Sequence, residues 1–231
     1  MSREKVPRFD RASVPFSAEN EKYTLHVLEN PPASVTVVFK QKLKTQRGGW
    51  SKKPPMIFRY KIKVPWCYFL MRQNRSGAIT DTFLFFAEDK LKDTRGRVFL
   101  PPLPNIYPSG HICNGTIKVN FDDPPHIKIA EAFRAFWSTP FTEETWPEDR
   151  GLLPACFNEE EGHAYVIEYG YLKYVFSYWE VHDENHEGCS GNIWRSFRPR
   201  SKGGHYGGYL TCLQQVMDYA LAFNVFDHVQ T

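Results

Sequence analysis

Residues 66–87 read WCYFLMRQNRSGAITDTFLFFA. Trp66–Met71 and Thr82–Ala87 are nearly continuous apolar runs of strand length. Asn74–Gly77 (NRSG) lies between them and carries turn chemistry. Two such runs around a turn read as a hairpin whose strands are buried on both faces, or close to it. Upstream, Tyr23–Leu28 (YTLHVL), Ser34–Lys40 (SVTVVFK) and Met56–Lys63 (MIFRYKIK) alternate apolar and polar residues, the signature of half-buried strands. Pro31-Pro32 separates the first two. The first hundred residues therefore read as a mostly antiparallel meander, preceded by a flexible basic-polar arm over residues 1–22.

Downstream of the hairpin the pattern changes. Pro101–Pro108 (PPLPNIYP) holds four prolines in eight residues, which excludes a regular helix or an internal strand. Thr116–Phe121 suggests a short strand. Asp123 then reads as an N-cap and Pro124 as the first residue of a helix. Ile129, Phe133, Phe136 and Trp137 form one apolar stripe along it, and Pro140 ends it. Residues 141–161 carry seven acids against one Arg and read as a long surface connection. Ala164–Tyr178 reads as one or two strands, and His182–Gly208 as a polar, glycine-rich stretch. Tyr209–Phe223 reads as a closing helix with Leu210, Leu213, Val216, Met217, Ala220 and Leu221 on one side. The reading is one α+β domain: a core over residues 23–161 and a C-terminal extension over 162–231 packed on it.

The composition fits. The chain has 231 residues, 42% hydrophobic and 24% charged, close to an ordinary globular domain and unlike a disordered one. Aromatics reach 16%, with 17 Pro and 15 Gly, which suits sheets joined by turns better than a helical bundle. Net charge is +3, so any polyanion-binding surface must be a local patch. No run of 18 apolar residues exists, which excludes a membrane-spanning helix. Five cysteines, widely spaced and without a CxxC, indicate free thiols in a reducing, cytoplasmic setting.

Leu103–Cys113 reads L-P-N-I-Y-P-S-G-H-I-C. This stretch resembles the active-site approach of ubiquitin-conjugating enzymes. There a His-Pro-Asn tripeptide is followed, eight residues after the Asn, by the catalytic cysteine, often through Y-P-x-G-x-[IV]-C. Pro104, Asn105, Tyr107, Pro108, Gly110 and Cys113 match that pattern, and the order of meander, motif and helix is also similar. Leu103 stands where the family has His, and Asn114-Gly115 replaces the usual pair after the cysteine. The prokaryotic branch of the superfamily is more similar still, in particular the PRTRC system protein B type, encoded with activating-enzyme-like and deubiquitinase-like proteins. Residues 99–115, then Phe133, Phe136 and Phe141, fit its pattern. The resemblance is specific over about fifteen residues and suggestive from about 56 to 141.

The resemblance implies that Cys113 carries a ubiquitin-like modifier as a thioester, received from an activating enzyme and passed to an amine. It also implies that the Asn105 amide faces the oxyanion. Such a cysteine needs an accessible sulfur, a lowered thiol pKa and oxyanion donors. Gly110 and Gly115 leave the backbone around Cys113 uncrowded, and Pro104 stiffens the approach to Asn105. His111 precedes Cys113 by two residues, which in an extended segment puts both on one face, where the imidazole could help ionise the thiol.

Other constellations carry other readings. His182, His186, Cys189 and His205 could complete a tetrahedral zinc site; the intervening acids equally suit a solvated loop. Lys40–Lys63 holds nine Lys/Arg and no acid, with Lys52 and Lys53 near its centre. Arg195–His205 adds Arg195, Arg198, Arg200 and Lys202 around Phe197. These two stretches could hold phosphates and stack a base, or serve self-assembly with the acidic segment. The alternative to a conjugating-like enzyme is thus a non-catalytic protein of the same fold, acting as a structural, assembly or nucleic-acid-contacting component of a plasmid or phage system. A zinc-stapled binding domain is the third reading.

Overall fold

The computed structural model describes residues 12–41, 54–101, 103, 105–107, 109–112, 123–142 and 212–222. Within them, six long strands run in order: β1 (Ser13–Glu19), β2 (Tyr23–Asn30), β3 (Ala33–Gln41), β4 (Met56–Val64), β5 (Trp66–Asn74) and β6 (Ile79–Ala87). Helix α1 (Pro125–Ser138), the short strand β7 (Phe141–Thr142) and helix α2 (Leu213–Ala222) follow. The result is the expected α+β arrangement, with antiparallel strands packed on a central helix.

The hairpin read from residues 66–87 is the middle of the fold. β5 and β6 pair antiparallel, with Tyr68 opposite Phe85 and Leu70 opposite Phe83. Their turn closes through a hydrogen bond from Gly77 N to Asn74 O (2.9 Å). Asn74 Oδ1 also accepts from the Ser76 and Ala78 amides (3.0 Å each). Gly77 sits at φ +81°, where a side chain would be strained.

Strand order differs from a strict meander: β1-β2-β5-β6 in one sheet and β4-β3-β7 in the other. The prolines explain this. Asn30 pairs with Cys67 and Ala33 with Val64, so three steps along one strand match three steps back along the other. β2–β3 and β4–β5 are therefore the two arms of one long ribbon in a single register. Pro31, Pro32 and Pro65 interrupt it because they lack the N–H a ladder needs. Beyond the break the ribbon belongs to the second sheet.

Both faces of the four-stranded sheet are covered, which is why β5 and β6 lack alternation. Phe69 meets Phe133 of α1 edge-on (5.4 Å between centroids), and Phe83 meets Tyr219 of α2 (6.4 Å). Leu70 is the partner of Phe83, so the two contacts lie on opposite faces. The α1 stripe is buried as expected: Ile129, Phe133, Phe136 and Trp137 are at most 3% exposed.

Three expectations change. Ser13–Glu19, assigned to the arm, form β1 against β2, with Phe16 and Ala18 partly covered by the core. Phe141, assigned to a surface connection, is fully buried and pairs parallel with Phe39 of β3. Asp123 does not cap α1; Pro124 occupies the N-cap position, with no side-chain cap, and Pro125 starts the helix. Pro124 is held extended (φ −58°, ψ 150°) because a residue preceding proline avoids the helical region. The same rule acts at the other end, where Thr139 before Pro140 is extended (ψ 130°).

α2 is seated by its first turn. Leu213 N donates to Gly96 O (3.1 Å) and Gln214 N to Thr94 O (2.6 Å). Leu213, Val216, Met217 and Ala220 face the sheet and are at most 2% exposed.

Candidate functional site

β6 is the last strand of its sheet, and its open edge is covered by two short segments. Phe99 exchanges both backbone hydrogen bonds with Phe86 (2.8 and 2.9 Å). Further along the strand, Leu84 N donates to Gly110 O (3.0 Å) and Ile112 N to Thr82 O (2.8 Å). The segment 106–112 is itself folded back: Tyr107 N donates to His111 O and Gly110 N to Tyr107 O, both at 2.8 Å. Backbone pairing thus satisfies an edge that would otherwise be exposed, and it fixes the motif loop to a rigid strand.

Each motif residue has a local reason for its place. Gly110 has φ +80°, and a Cβ there would lie 2.1 Å from Cζ of the buried Phe85 ring. Only glycine fits both demands. Asn105 is half-buried and has φ 69°, the one positive-φ non-glycine residue among those described. Asparagine tolerates that conformation better than most residues. Leu103, at the position of the family's His, is a core residue at 1% exposure. Ile106 and Ile112 are also buried and bridge each other. Tyr107 is 40% exposed and stacks on His111 (5.7 Å between centroids, 15° between planes).

His111 lies opposite Phe83 on β6, so its side chain falls diagonally beside Asp81. His111 Nε2 is 3.3 Å from Asp81 Oδ1. No aligned hydrogen bond reaches Oδ1, so the two groups meet as close neighbours. The other oxygen, Oδ2, pairs with Arg72 Nη2. Asp81 and Arg72 come into register through a bulge: β5 and β6 shift between Arg72 and Gln73, which leaves Thr80 as the extra residue. Arg72 is buried and bonds through all three guanidinium nitrogens. Its Nε donates to Thr80 Oγ1 (3.0 Å), its Nη1 to Ala220 O of α2 (2.9 Å), and its guanidinium lies 4.2 Å from the Tyr23 ring centre.

Burial alone would push the Asp81 carboxyl up. The nearby His111 imidazole, the Arg72 charge and the hydrogen bonds from Arg72 and Thr80 outweigh it and hold the carboxyl below its ordinary value. A charged carboxylate is thereby fixed beside an imidazole that is 14% exposed.

Within the motif loop His111 pairs with the β6 edge, and Asn105 precedes the Ile106–Ile112 bridge. Cys113 follows Ile112 and lies outside the described residues, as do Lys52, Lys53, His182, His186, Cys189, Arg195, Arg198, Arg200, Lys202 and His205. Among the described residues no group of three or more His, Cys, Asp or Glu could hold a metal ion, and no helix is long and apolar enough to cross a membrane. Asp81 and Arg72 carried no signal in the sequence that tied them to the loop; a bulged register cannot be read from spacing.

A family model described as prokaryotic E2 family D matches residues 17–158, more than half of the chain. The chain belongs to prokaryotic E2 family D. The match runs from the end of β1 through the motif loop, α1 and β7, so the Asn105–His111 loop lies inside the family region. No curated protein and no solved structure matches the chain.

Proposed function

We propose that this family D protein is a ubiquitin-conjugating-like carrier, of the PRTRC system protein B type, that holds a ubiquitin-like modifier as a thioester on Cys113 and passes it to an amine. The observation that carries the reading is the motif loop anchored on β6 through Gly110 and Ile112, with Asn105 eight residues before Cys113 in the chain. One residue separates His111 from Cys113, and two residues span at most about 7 Å. A general-base role for the imidazole is part of this reading, and help of this kind contributes roughly 10²–10⁴-fold. The Asn105 amide is the candidate donor to the tetrahedral oxyanion. Leu103 replaces a supporting histidine with core packing and takes no part in the chemistry. The partners would be an activating enzyme, the modifier and an amine-bearing target, all cytoplasmic.

The test is recovery of the chain from its source cells under non-reducing, mildly acidic conditions, followed by mass spectrometry. The carrier reading predicts an adduct on Cys113 that a thiol reductant releases and that Cys113→Ala abolishes. A Cys113 that is always a bare thiol, in cells where the system is expressed, contradicts it.

A second reading draws on β4, where Arg59, Lys61 and Lys63 alternate outward while Tyr60, Ile62 and Val64 face the core. Together with Lys52, Lys53 and the 195–202 stretch, they would suit a non-catalytic assembly or nucleic-acid-contacting role. Salt-sensitive binding to single- or double-stranded DNA, retained in Cys113→Ala, would favour it.

A further inference from the structure

We infer that the outer face of the β3–β4 ladder is a phosphate-tracking site for single-stranded nucleic acid. The inference rests on the nucleic-acid-contacting reading, gives it a surface and a ligand, and is independent of the thiol chemistry.

The register gathers the charges on one face. β3 and β4 pair antiparallel without a bulge, from Ala33 opposite Val64 to Gln41 opposite Met56. Val35, Val37, Phe39, Tyr60, Ile62 and Val64 are buried. Alternation turns their neighbours outward: half-buried Lys40 on β3, and exposed Arg59, Lys61 and Lys63 on β4. Successive cations on β4 stand about 6.8 Å apart, so the three form a row of about 14 Å. Lys40 lies opposite Ile57 and diagonal to Arg59. The exposed Ser34 and Thr36 lie opposite Lys63 and Lys61.

The fold gains nothing from this row. Its spacing is below the Debye length of about 8 Å at physiological salt, so the like charges repel. No Asp or Glu occurs between Glu29 and Asp81 to balance them along either strand. Among the described residues β4 ends its sheet, and charge on an edge strand does discourage edge-to-edge pairing. Either sign serves that purpose, whereas every charge here is positive. A row of one sign at a constant interval complements a polyanion of constant interval, which a phosphodiester backbone is. The Ser34 and Thr36 hydroxyls can donate to the same phosphate oxygens. At the end of the row Ile57 is 51% exposed, with Met56 beside it at 43%. An unstacked base can pack on that apolar pair; in a duplex the bases are stacked away from it, which favours the single strand.

The test uses the full-length protein and a fluorescent oligo(dT) of about 20 nucleotides, with anisotropy followed across salt. Single-strand affinity falls with salt at a log–log slope near −0.7 per phosphate neutralised. The triple variant Arg59→Gln, Lys61→Gln, Lys63→Gln is expected to bind at least tenfold more weakly at low salt, with a slope shallower by about 2. Lys61→Arg with Lys63→Arg keeps the charge and should keep both affinity and slope. Each single Gln variant should take about 0.7 from the slope, which decides the matter if the triple variant does not fold. A triple variant with unmodified affinity and slope overturns the inference and leaves nucleic-acid contact to other residues. An unmodified protein that binds neither oligo(dT) nor a duplex of the same length at low salt overturns the reading itself. Tighter binding of that duplex, or of poly-glutamate of equal charge, overturns the assignment to a single strand.

Discussion

Asn105 combines a backbone demand with a side-chain opportunity, and the two are separable by substitution. Its φ of 69° suits glycine at least as well, so Asn105→Gly keeps the loop and removes only the amide. The expected result is a melting temperature near that of the unmodified protein with acyl transfer reduced by roughly 10²–10³. Asn105→Ala loses the amide and adds a left-handed backbone cost of about 1–2 kcal/mol, visible as a lower melting temperature. Equal transfer by Asn105→Gly and the unmodified chain would remove the amide from the chemistry. The spacing from Asn105 to Cys113 made this residue legible in the sequence. Asp81 was not legible. Its place beside His111 depends on an extra residue at Thr80 and on a diagonal cross-strand contact, and neither leaves a periodic trace in the chain.

At the scale of elements, α1 and the β5–β6 hairpin were the clearest readings, because each repeats one strong pattern over many residues. Phe133 tests the packing they imply. It is fully buried, edge-on to both Phe69 and Trp137. Phe133→Ala should lower unfolding free energy by about 3–5 kcal/mol in urea titration, with the loop on the β6 edge still formed. A loss below about 1 kcal/mol would mean that α1 is not central to the core. β1 and β7 escaped the sequence reading for different reasons. β1 is an edge strand with a mostly exposed surface, so its apolar alternation is faint. β7 has two residues, and its pairing partner is β3, more than a hundred positions upstream. The single register of the β2–β3 and β4–β5 ribbon was also hidden, because its three prolines look like ends rather than a bend.

For the whole molecule, the Asp81–Arg72 pair links β5, β6 and α2 in one buried network, and its charge should show in acid stability. The Asp81 carboxyl in the fold lies below its ordinary value of 3.8. A depressed carboxylate contributes stability that is fully present above the unfolded value and is lost as pH falls through the folded one. Urea midpoints of the unmodified protein should therefore drop on acidification below about pH 4, and Asp81→Asn should show a shallower drop from a lower plateau. Parallel curves for the two proteins would deny Asp81 that role.

The thiols give the most direct test of the central claim, that Cys113 is a thioester-forming nucleophile. Cys67 is fully buried in β5, and burial pushes its thiol far up, so it should stay unlabelled until the protein unfolds. The decisive measurement is limited alkylation of the native chain across pH, with the label located by mass spectrometry. Cys113 is expected to be labelled first, with an apparent pKa below that of a free thiol. A Cys113 that reacts only after unfolding would contradict it.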